Sequence, residues 1–450
     1  MVENESILKT VSFKDFIKWD VKQFFINQIK SAFSVEFLSK LLKEETEKKK
    51  LSSFPEEEFG ILGISNEIGM FDAYTEKGKK INQPYKVVKN DFIAYNPYRV
   101  NVGSIGIKKD CLKNEYISNA YVVFSTKEKL LPDYLFLLMH TEKFNQLIRD
   151  NTTGSVRQTL SYENLGKIKI PMPPLDVQRN IVQRYLHLIN EAERMETQSD
   201  VLNFTISSEL IKLLGITIEL KTDKNNSLLT FVKYSKNSRW DVDYILGKQS
   251  TDYILTSKYP IINTRDIILL CQYGSSSKAD RNVNNIPVLR MNNIQDGEFV
   301  VNDLKYLNLS AKDLRTYKLN KGDLMFNRTN SKELVGKTAV FEFEGDYVFA
   351  SYLIRVVIDP TKANVHYINY IFGSKIIRDQ IDFISRQITG QANVNAEELK
   401  NFIFPLPPLS VQNEIVEHIN QIKSHVKNLR QQAKELREKA KLEFERSVFE

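Results

Sequence analysis

Two stretches of this chain crowd amide, cationic and aromatic side chains into a few positions. One holds Asn96, Tyr98, Arg99, Asn101 and Ser104, the other Asn327, Arg328, Asn330 and Lys332. Arginine, lysine and asparagine carry donors and acceptors that fit base edges. Lysine, serine and backbone amides fit phosphate oxygens. A second pair of stretches, with Ser155, Arg157 and Gln158 in one and Gln391 and Asn393 in the other, surrounds Thr153-Gly154 and Thr389-Gly390. Residues 272–278 read as a flexible loop ending in Lys278. The contact set expected from these patterns is Asn96, Tyr98, Arg99, Ser104, Arg157, Gln158, Lys278, Asn327, Arg328, Lys332, Gln391 and Asn393. The competing readings are solvated loops and, around the Thr-Gly pairs, a turn entering a strand. Lys48-Lys49-Lys50 reads as the solvated end of a helix over residues 34–50.

Other chemistry is imitated but incomplete. Gly336-Lys337-Thr338 resembles the end of a phosphate-binding loop, but Ser331 stands where the first glycine belongs. Asn96-Pro97-Tyr98 lacks the second proline of the Asn/Asp-Pro-Pro-Tyr element that holds an adenine in amino-methyltransferases, and no glycine-rich methyl-donor loop precedes it. Two isolated cysteines, Cys111 and Cys271, and five scattered histidines give no metal-ligand spacing. The expectation is a binding protein with no catalytic residue, metal or cofactor of its own. The net charge of +7, from 63 basic and 56 acidic residues, permits nucleic-acid binding without demanding it. No apolar run is long enough for a bilayer, residues 1–10 lack a secretory pattern, and the cysteine usage fits a reducing cytoplasm.

The elements that would position these loops are written twice. Ile168 to Val182 reads I-K-I-P-M-P-P-L-D-V-Q-R-N-I-V, and Phe402 to Val416 reads F-I-F-P-L-P-P-L-S-V-Q-N-E-I-V. In both, a strand stops at proline, two further prolines make an extended corner, and a helix starts. Asp176 and Ser410 sit near that start, where a side-chain oxygen can serve unpaired N–H groups. Ile181, Tyr185, Leu188, Ala192, Met195, Ser199, Leu202 and Ile206 then step by four and three. Ile415, Ile419, Ile422, Val426, Leu429, Ala433, Leu436 and Ala440 step identically. These are heptad seams on helices of roughly 35–40 residues, about 50–60 Å long. Equal register favours the two helices zipping onto each other, with Ser199 as the weak point of the seam.

The repeat extends upstream. Both tryptophans lie in Trp-Asp-Val, at Trp19 and Trp240. Ile61 to Asn66 matches Val288 to Asn293, Tyr85-Lys86 matches Tyr317-Lys318, and Lys89-Asn90-Asp91-Phe92 matches Lys321-Gly322-Asp323-Leu324. Val102-Gly103 matches Val335-Gly336, and Tyr134-Leu135 matches Tyr367-Ile368 on a helix in each half. Order is kept throughout, so the chain reads as two homologous halves, about 1–215 and 216–450, joined through a linker-like stretch at 221–227. Short β-rich runs such as Tyr121 to Phe124 and Leu353 to Val357 between Gly, Asn and Asp turns predict mixed or antiparallel sheet.

These twin Pro-x-Pro-Pro-Leu-x-x-Gln corners, each leading into a long heptad helix, resemble the specificity subunit of type I restriction-modification enzymes. Support comes from Trp-Asp, Asp296-Gly297, the Thr-Gly elements and the stretch Ala94 to Arg99 with Gly103 to Gly106. The resemblance implies an α/β (α+β) fold. It comprises a target-recognition domain over 1–173, a central helix and linker over 174–220, a second recognition domain over 221–407 and a last helix over 408–450. The helices would pair as an antiparallel coiled coil, spacing the domains like a ruler and docking methyltransferase (modification) subunits, two of them. Each domain would read one half of a split sequence in double-stranded DNA. Separate ATP-dependent restriction subunits would complete a cytoplasmic complex. The rival readings are a single-chain DNA methyltransferase or restriction enzyme with an unseen site, and a coiled-coil adaptor with no DNA role.

Overall fold

The computed structural model describes residues 29, 31–66, 68–100, 103–151, 159–218, 249–282, 285–384 and 392–450. Both Trp-Asp-Val tripeptides, both Thr-Gly elements, residues 221–227 and the candidates Arg157, Gln158 and Gln391 lie outside the described residues. The chain forms two compact units, Met1–Met195 with Gln431–Glu450, and Glu196–Arg430.

In the first unit β1 (Val35–Phe37) pairs with β11 (Lys169–Pro171), the strand that runs into the proline corner. A four-stranded antiparallel sheet has the order β2 (Leu42–Glu44), β10 (Val122–Thr126), β7 (Ile93–Tyr95), β8 (Ile105–Ile107). A five-stranded sheet runs β3 (Lys48–Lys49), β6 (Tyr85–Val87), β9 (Tyr116–Ser118), β4 (Glu58–Ser65), β5 (Gly69–Lys77). The helix Pro132–Met139 closes the core with Tyr134, Leu135 and Leu138 fully buried.

The second unit repeats this frame. β12 (Ile261–Asn263) pairs with β24 (Ile403–Pro405) as β1 does with β11. β13 (Ile268–Tyr273), β22 (Leu353–Ile358), β18 (Leu324–Asn327) and β20 (Thr338–Val340) reproduce the four-stranded antiparallel order. The parallel pair β4–β9, at Ile61 and Tyr116, recurs between β14 (Ile286–Leu289) and β21 (Val348–Phe349). The outer layer differs. It is a three-stranded sheet, β17 (Lys305–Leu307), β14 and β21, beside a short hairpin of β15 (Ile294–Gln295) and β16 (Glu298–Phe299). β19 (Thr329–Asn330) pairs with β23 (Ala392–Asn393). The matching helix is Val365–Phe372, capped by the Asn364 side chain.

The helix expected over residues 34–50 does not form. One helical turn, Leu38–Leu41, stands between β1 and β2, and β3 follows. Sheet-edge pairing with β11 and β10, and burial of Leu38, Leu41 and Leu42, override local helix propensity there. Lys49 is therefore not a solvated helix end. Its ammonium lies 5.2, 5.5 and 5.6 Å from the ring centres of Phe54, Phe59 and Tyr116.

The long helices are Leu175–Leu213 and Leu409–Phe449. They start at the residue after the last proline, so Asp176 and Ser410 lie inside the first turn rather than flanking it. The corner is held instead by fully buried glutamines. Gln178 Nε2 donates to the carbonyls of Pro173 (2.8 Å) and Lys129 (3.0 Å), and its Oε1 accepts from Leu131 N–H at 2.9 Å. Gln412 repeats this with Pro407 (2.8 Å), Lys362 (3.2 Å) and Asn364 N–H (2.8 Å).

Every seam residue predicted on the two helices is buried or half-buried. In the second unit Arg430 Nε donates to Ser199 Oγ at 3.0 Å, and Glu209 lies 3.9 Å from His418. In the first unit the rings of Tyr185 and Phe444 are 6.0 Å apart, and Ile181 shares a core with Val448. Rising numbers meet falling numbers in each unit, so the pairing is antiparallel. Ser199 is fully buried and satisfied rather than a defect. Among the described residues no helix is long and apolar enough to cross a membrane, and no cluster of potential metal ligands occurs.

Candidate nucleic-acid interface

Both candidate loops leave the four-stranded sheet at the same backbone position. Asn96 N–H donates to the Ser104 carbonyl at 3.1 Å, and Asn327 N–H to the Lys337 carbonyl at 2.8 Å. Each loop closes through a glycine with φ +87°, Gly103 and Gly336, where a side chain would be strained. A second anchor matches as well. Leu160 N–H donates to the Pro97 carbonyl at 3.1 Å, and Val394 N–H to the Arg328 carbonyl at 2.9 Å. Asn96 therefore corresponds to Asn327, and Pro97 to Arg328. The sequence match set Asp91 against Asp323, which is one residue off. Asp91, at φ +64°, corresponds to Gly322, at φ +89°, and both donate N–H bonds to the neighbouring strand. The match of Tyr85 with Tyr317 also fails, because Tyr85 opens β6 while Tyr317 ends the helix Ala311–Tyr317.

The register shift exposes a difference in the cores. By the same pairing Asp323 and Arg355 take the places of Phe92 and Val123. They form a buried ion pair at 2.8 Å where the first unit has an apolar contact. Burial raises the Asp323 carboxyl above its ordinary value, outweighing the Asn320 N–H and the Arg355 charge.

In the second unit the loop brings two predicted regions together. β19 pairs with β23, and Thr329 Oγ1 donates to Asn393 Oδ1 at 3.0 Å. The Arg328 guanidinium lies 4.8 Å from the ring centre of Tyr273, with its Nε buried and unpartnered. The Tyr273 hydroxyl accepts from Ala396 N–H at 2.9 Å, so the ring under the arginine is fixed from the far side. Tyr352, whose carbonyl accepts from Arg328 N–H at 3.0 Å, is 51% exposed. A guanidinium stacked on a ring keeps its outer edge for bidentate bonds, and exposed tyrosines offer stacking surfaces. Lys332 and Lys278 are exposed. Residues 272–278 are not a loose loop. Tyr273 ends β13, and buried Ser275 bridges to Ala350, leaving only the Ser276 to Lys278 end projecting.

In the first unit Asn96 is half-buried and its Oδ1 accepts from Tyr98 N–H at 3.0 Å, an Asx turn that turns Tyr98 and Arg99 outward. Tyr98 is 58% exposed. Below the loop the Tyr95 hydroxyl donates to the Leu160 carbonyl at 3.1 Å. Burial raises its pKa far above the ordinary value, so it remains a neutral donor. Two expected contacts face inward: Ser104 is 6% exposed, and Asn327 is fully buried with Nδ2 donating to the Leu334 carbonyl at 3.2 Å. As arranged, neither side chain presents to a duplex. Of the expected set, the surface holds Tyr98, Arg99, Lys278, Lys332 and Asn393, with Asn96 and Arg328 half-buried. Sequence reasoning missed Tyr352. An exposed tyrosine next to a strand carries no local signal that separates it from a core one.

A family profile described as "Type I restriction modification DNA specificity domain" matches residues 57–203 and 258–438. The chain belongs to this family. The two matched segments fall one in each half of the repeat, as the duplicated frame requires. The chain is 25% identical over 156 residues to a protein named putative type I restriction enzyme MjaX specificity subunit, from Methanocaldococcus jannaschii. That match covers 34% of this chain and 36% of the relative. It is 24% identical over 279 residues to the type I restriction enzyme EcoKI specificity subunit of Escherichia coli, covering 61% of this chain and 55% of that one. The chain thus spans from about a third to little more than half of these curated relatives. A solved chain from work on complex assembly and conformational transition of the type I R-M system superposes with TM-score 0.59 at 14% identity, over 93% of this chain and 98% of that one. This likeness shows a shared fold. The matched segments include both proline corners, where Gln178 and Gln412 clamp the strand–helix junction.

Proposed function

We propose that this chain is the DNA sequence-recognition subunit of a type I restriction-modification complex and binds a two-part target through its two recognition regions. One observation carries the reading. The same backbone frame occurs twice but presents different chemistry at equivalent places. Pro97 has no side-chain donor, whereas Arg328 offers a stacked, bidentate one. Two copies reading the same bases would need matching groups there, so the halves read different sequences. The recognition regions are those of 1–173 and 221–407, with Tyr98 and Arg99 reaching one half-site and Arg328, Lys332, Asn393 and Lys278 the other. The helices of 174–220 and 408–450 dock two methyltransferase subunits. ATP-dependent restriction subunits join that assembly, and the complex works in the cytoplasm. The chain itself brings no catalytic group; methyl transfer belongs to the partners.

The test is to map methylated positions produced by the chain together with its modification subunits. Sequence-specific methylation is expected from the mixture and none from the chain alone; methylation by the isolated chain defeats the proposal. Arg328→Ala should lower discrimination at one half-site by about 1–3 kcal/mol, the worth of one good bidentate base contact. Arg328→Lys should not restore it, because an ammonium neither stacks on Tyr273 nor forks. Equal loss at both half-sites would refute the division of labour.

A further inference from the structure

The hairpin of β15 and β16 turns through Asp296 and Gly297, both at positive φ, +49° and +78°. The Asp296 side chain is 67% exposed, as at most hairpin tips, but the turn is also bonded to neighbouring helices. It is gripped from three sides, all within the second unit. Arg430 on the last helix reaches Asp296 Oδ2 at 3.4 Å with one terminal nitrogen and Asp200 Oδ1 on the first long helix at 3.3 Å with the other. Its Nε completes the fork on buried Ser199 Oγ at 3.0 Å. Two turns away Lys423 donates to the Asp296 carbonyl at 3.3 Å and pairs with Glu298 at 2.9 Å. Asn369, on the helix Val365–Phe372 and 5% exposed, donates to the Gly297 carbonyl at 2.9 Å.

We propose that the Asp296–Gly297 turn and Arg430 form a latch that fixes the angle between the helix pair and the second recognition region, and so the phase at which that region meets DNA. The inference rests on the reading of this chain as a recognition subunit and adds positioning residues that touch no base. Three features argue for a latch rather than incidental surface pairing. Arg430 spends all three of its nitrogens on three different partners, so its planar fork has one satisfying orientation. The turn needs left-handed backbone at two successive residues, which Asp-Gly supplies and most dipeptides do not. Two of the gripping groups, Ser199 and Asn369, are buried and cannot drift with solvent. Exposed ion pairs are individually weak. Here they are tied to a rigid turn and to buried partners, so their geometry matters more than their strength.

The experiment uses the full chain with its modification subunits and a set of duplexes whose two half-sites are separated by the native spacer or by one base pair more or less. The variants are Arg430→Ala, Arg430→Lys and Asp296→Ala. For Arg430→Ala and Asp296→Ala the preference for the native spacer should fall roughly two- to tenfold, the lower part of the span that couplings between contacting residues produce. Base preference within each half-site should stay as in the parent. Arg430→Lys, which keeps the charge but not the fork, should fall between. Hydrogen exchange of the Glu298 and Phe299 amides should quicken in the alanine variants without a change in the rest of the second unit. An unchanged spacer profile in a folded, DNA-binding Arg430→Ala complex overturns the latch. A parent complex that shows no sequence-specific DNA binding overturns the recognition reading instead, so the two failures are distinguishable.

Discussion

Asn96 and Asn327 stand at the same backbone position of the two halves, yet one side chain faces the loop surface and the other is sealed inside. Asn96 caps Tyr98 N–H at 3.0 Å, while Asn327 donates to the Leu334 carbonyl at 3.2 Å. Asn327→Ala should therefore cost stability, about 1 kcal/mol for one buried hydrogen bond whose donor also carries an unpartnered oxygen. Asn96→Ala should cost no more than a few tenths of that scale while changing recognition at its half-site. Urea unfolding and DNA competition on both variants check the contrast; equal stability losses would contradict it.

The buried glutamines make a sharper stability prediction. Gln412→Ala removes three hydrogen bonds and strands two carbonyls and one N–H at the corner, a loss of about 2–4 kcal/mol. Gln178→Ala should match it, since its three bonds are the same in kind. Tyr367→Phe, which deletes the 2.6 Å bond to the Pro405 carbonyl, should cost about 1 kcal/mol. Unfolding midpoints at constant m-value are the measurement. A Gln412→Ala midpoint within error of the parent would show that the clamp is dispensable.

His140 supplies a pH dependence. Its Nδ1 lies 2.8 Å from the Phe136 carbonyl, and burial lowers its pKa from the ordinary 6.5. The unfolded chain then binds a proton that the folded chain resists. The stabilisation from neutral His140 is full above about 6.5 and is lost as pH falls through the folded-state value. His140→Gln should flatten the stability profile between pH 7 and pH 5, on the order of the window where histidine titrates. A parallel slope in parent and variant would remove His140 from the account.

A heptad insertion tests whether the helix pair sets the unread spacer. Antiparallel pairing decides where the insertions go. Because Tyr185 meets Phe444, the segment from Leu188 to Met195 faces the stretch around residues 434–441, not Ile422 to Leu429, its counterpart in the repeat. Seven residues added at both facing places keep the seam and add about 10 Å, close to three base pairs of duplex. The methylated sites should then show a spacer about three base pairs longer with unchanged half-sites and reduced affinity. An unchanged spacer in an active complex would leave the helices as a docking surface only.

Periodic and chain-order information was legible in the sequence. The twin Pro-x-Pro-Pro corners, the heptad seams, the helices at Tyr134 and Tyr367 and the paired glycines Gly103 and Gly336 all follow from local rules. Proline cannot donate, a seam repeats with the helix, and φ of +87° strains any residue with a side chain. What depends on a distant neighbour was not legible. Residues 34–50 carry a helical composition, but β10 and β11 offered hydrogen bonds that made strands of them. The one-residue register shift that sets Pro97 against Arg328 is fixed by cross-strand bonds to Leu160 and Val394. Whether an asparagine or serine faces the solvent is likewise decided by what packs over it. That is why Ser104 and Asn327 turned inward and why Ser199, polar in an apolar seam, found its partner in Arg430. Pattern along the chain determines which face an element has; only the fold determines what that face meets.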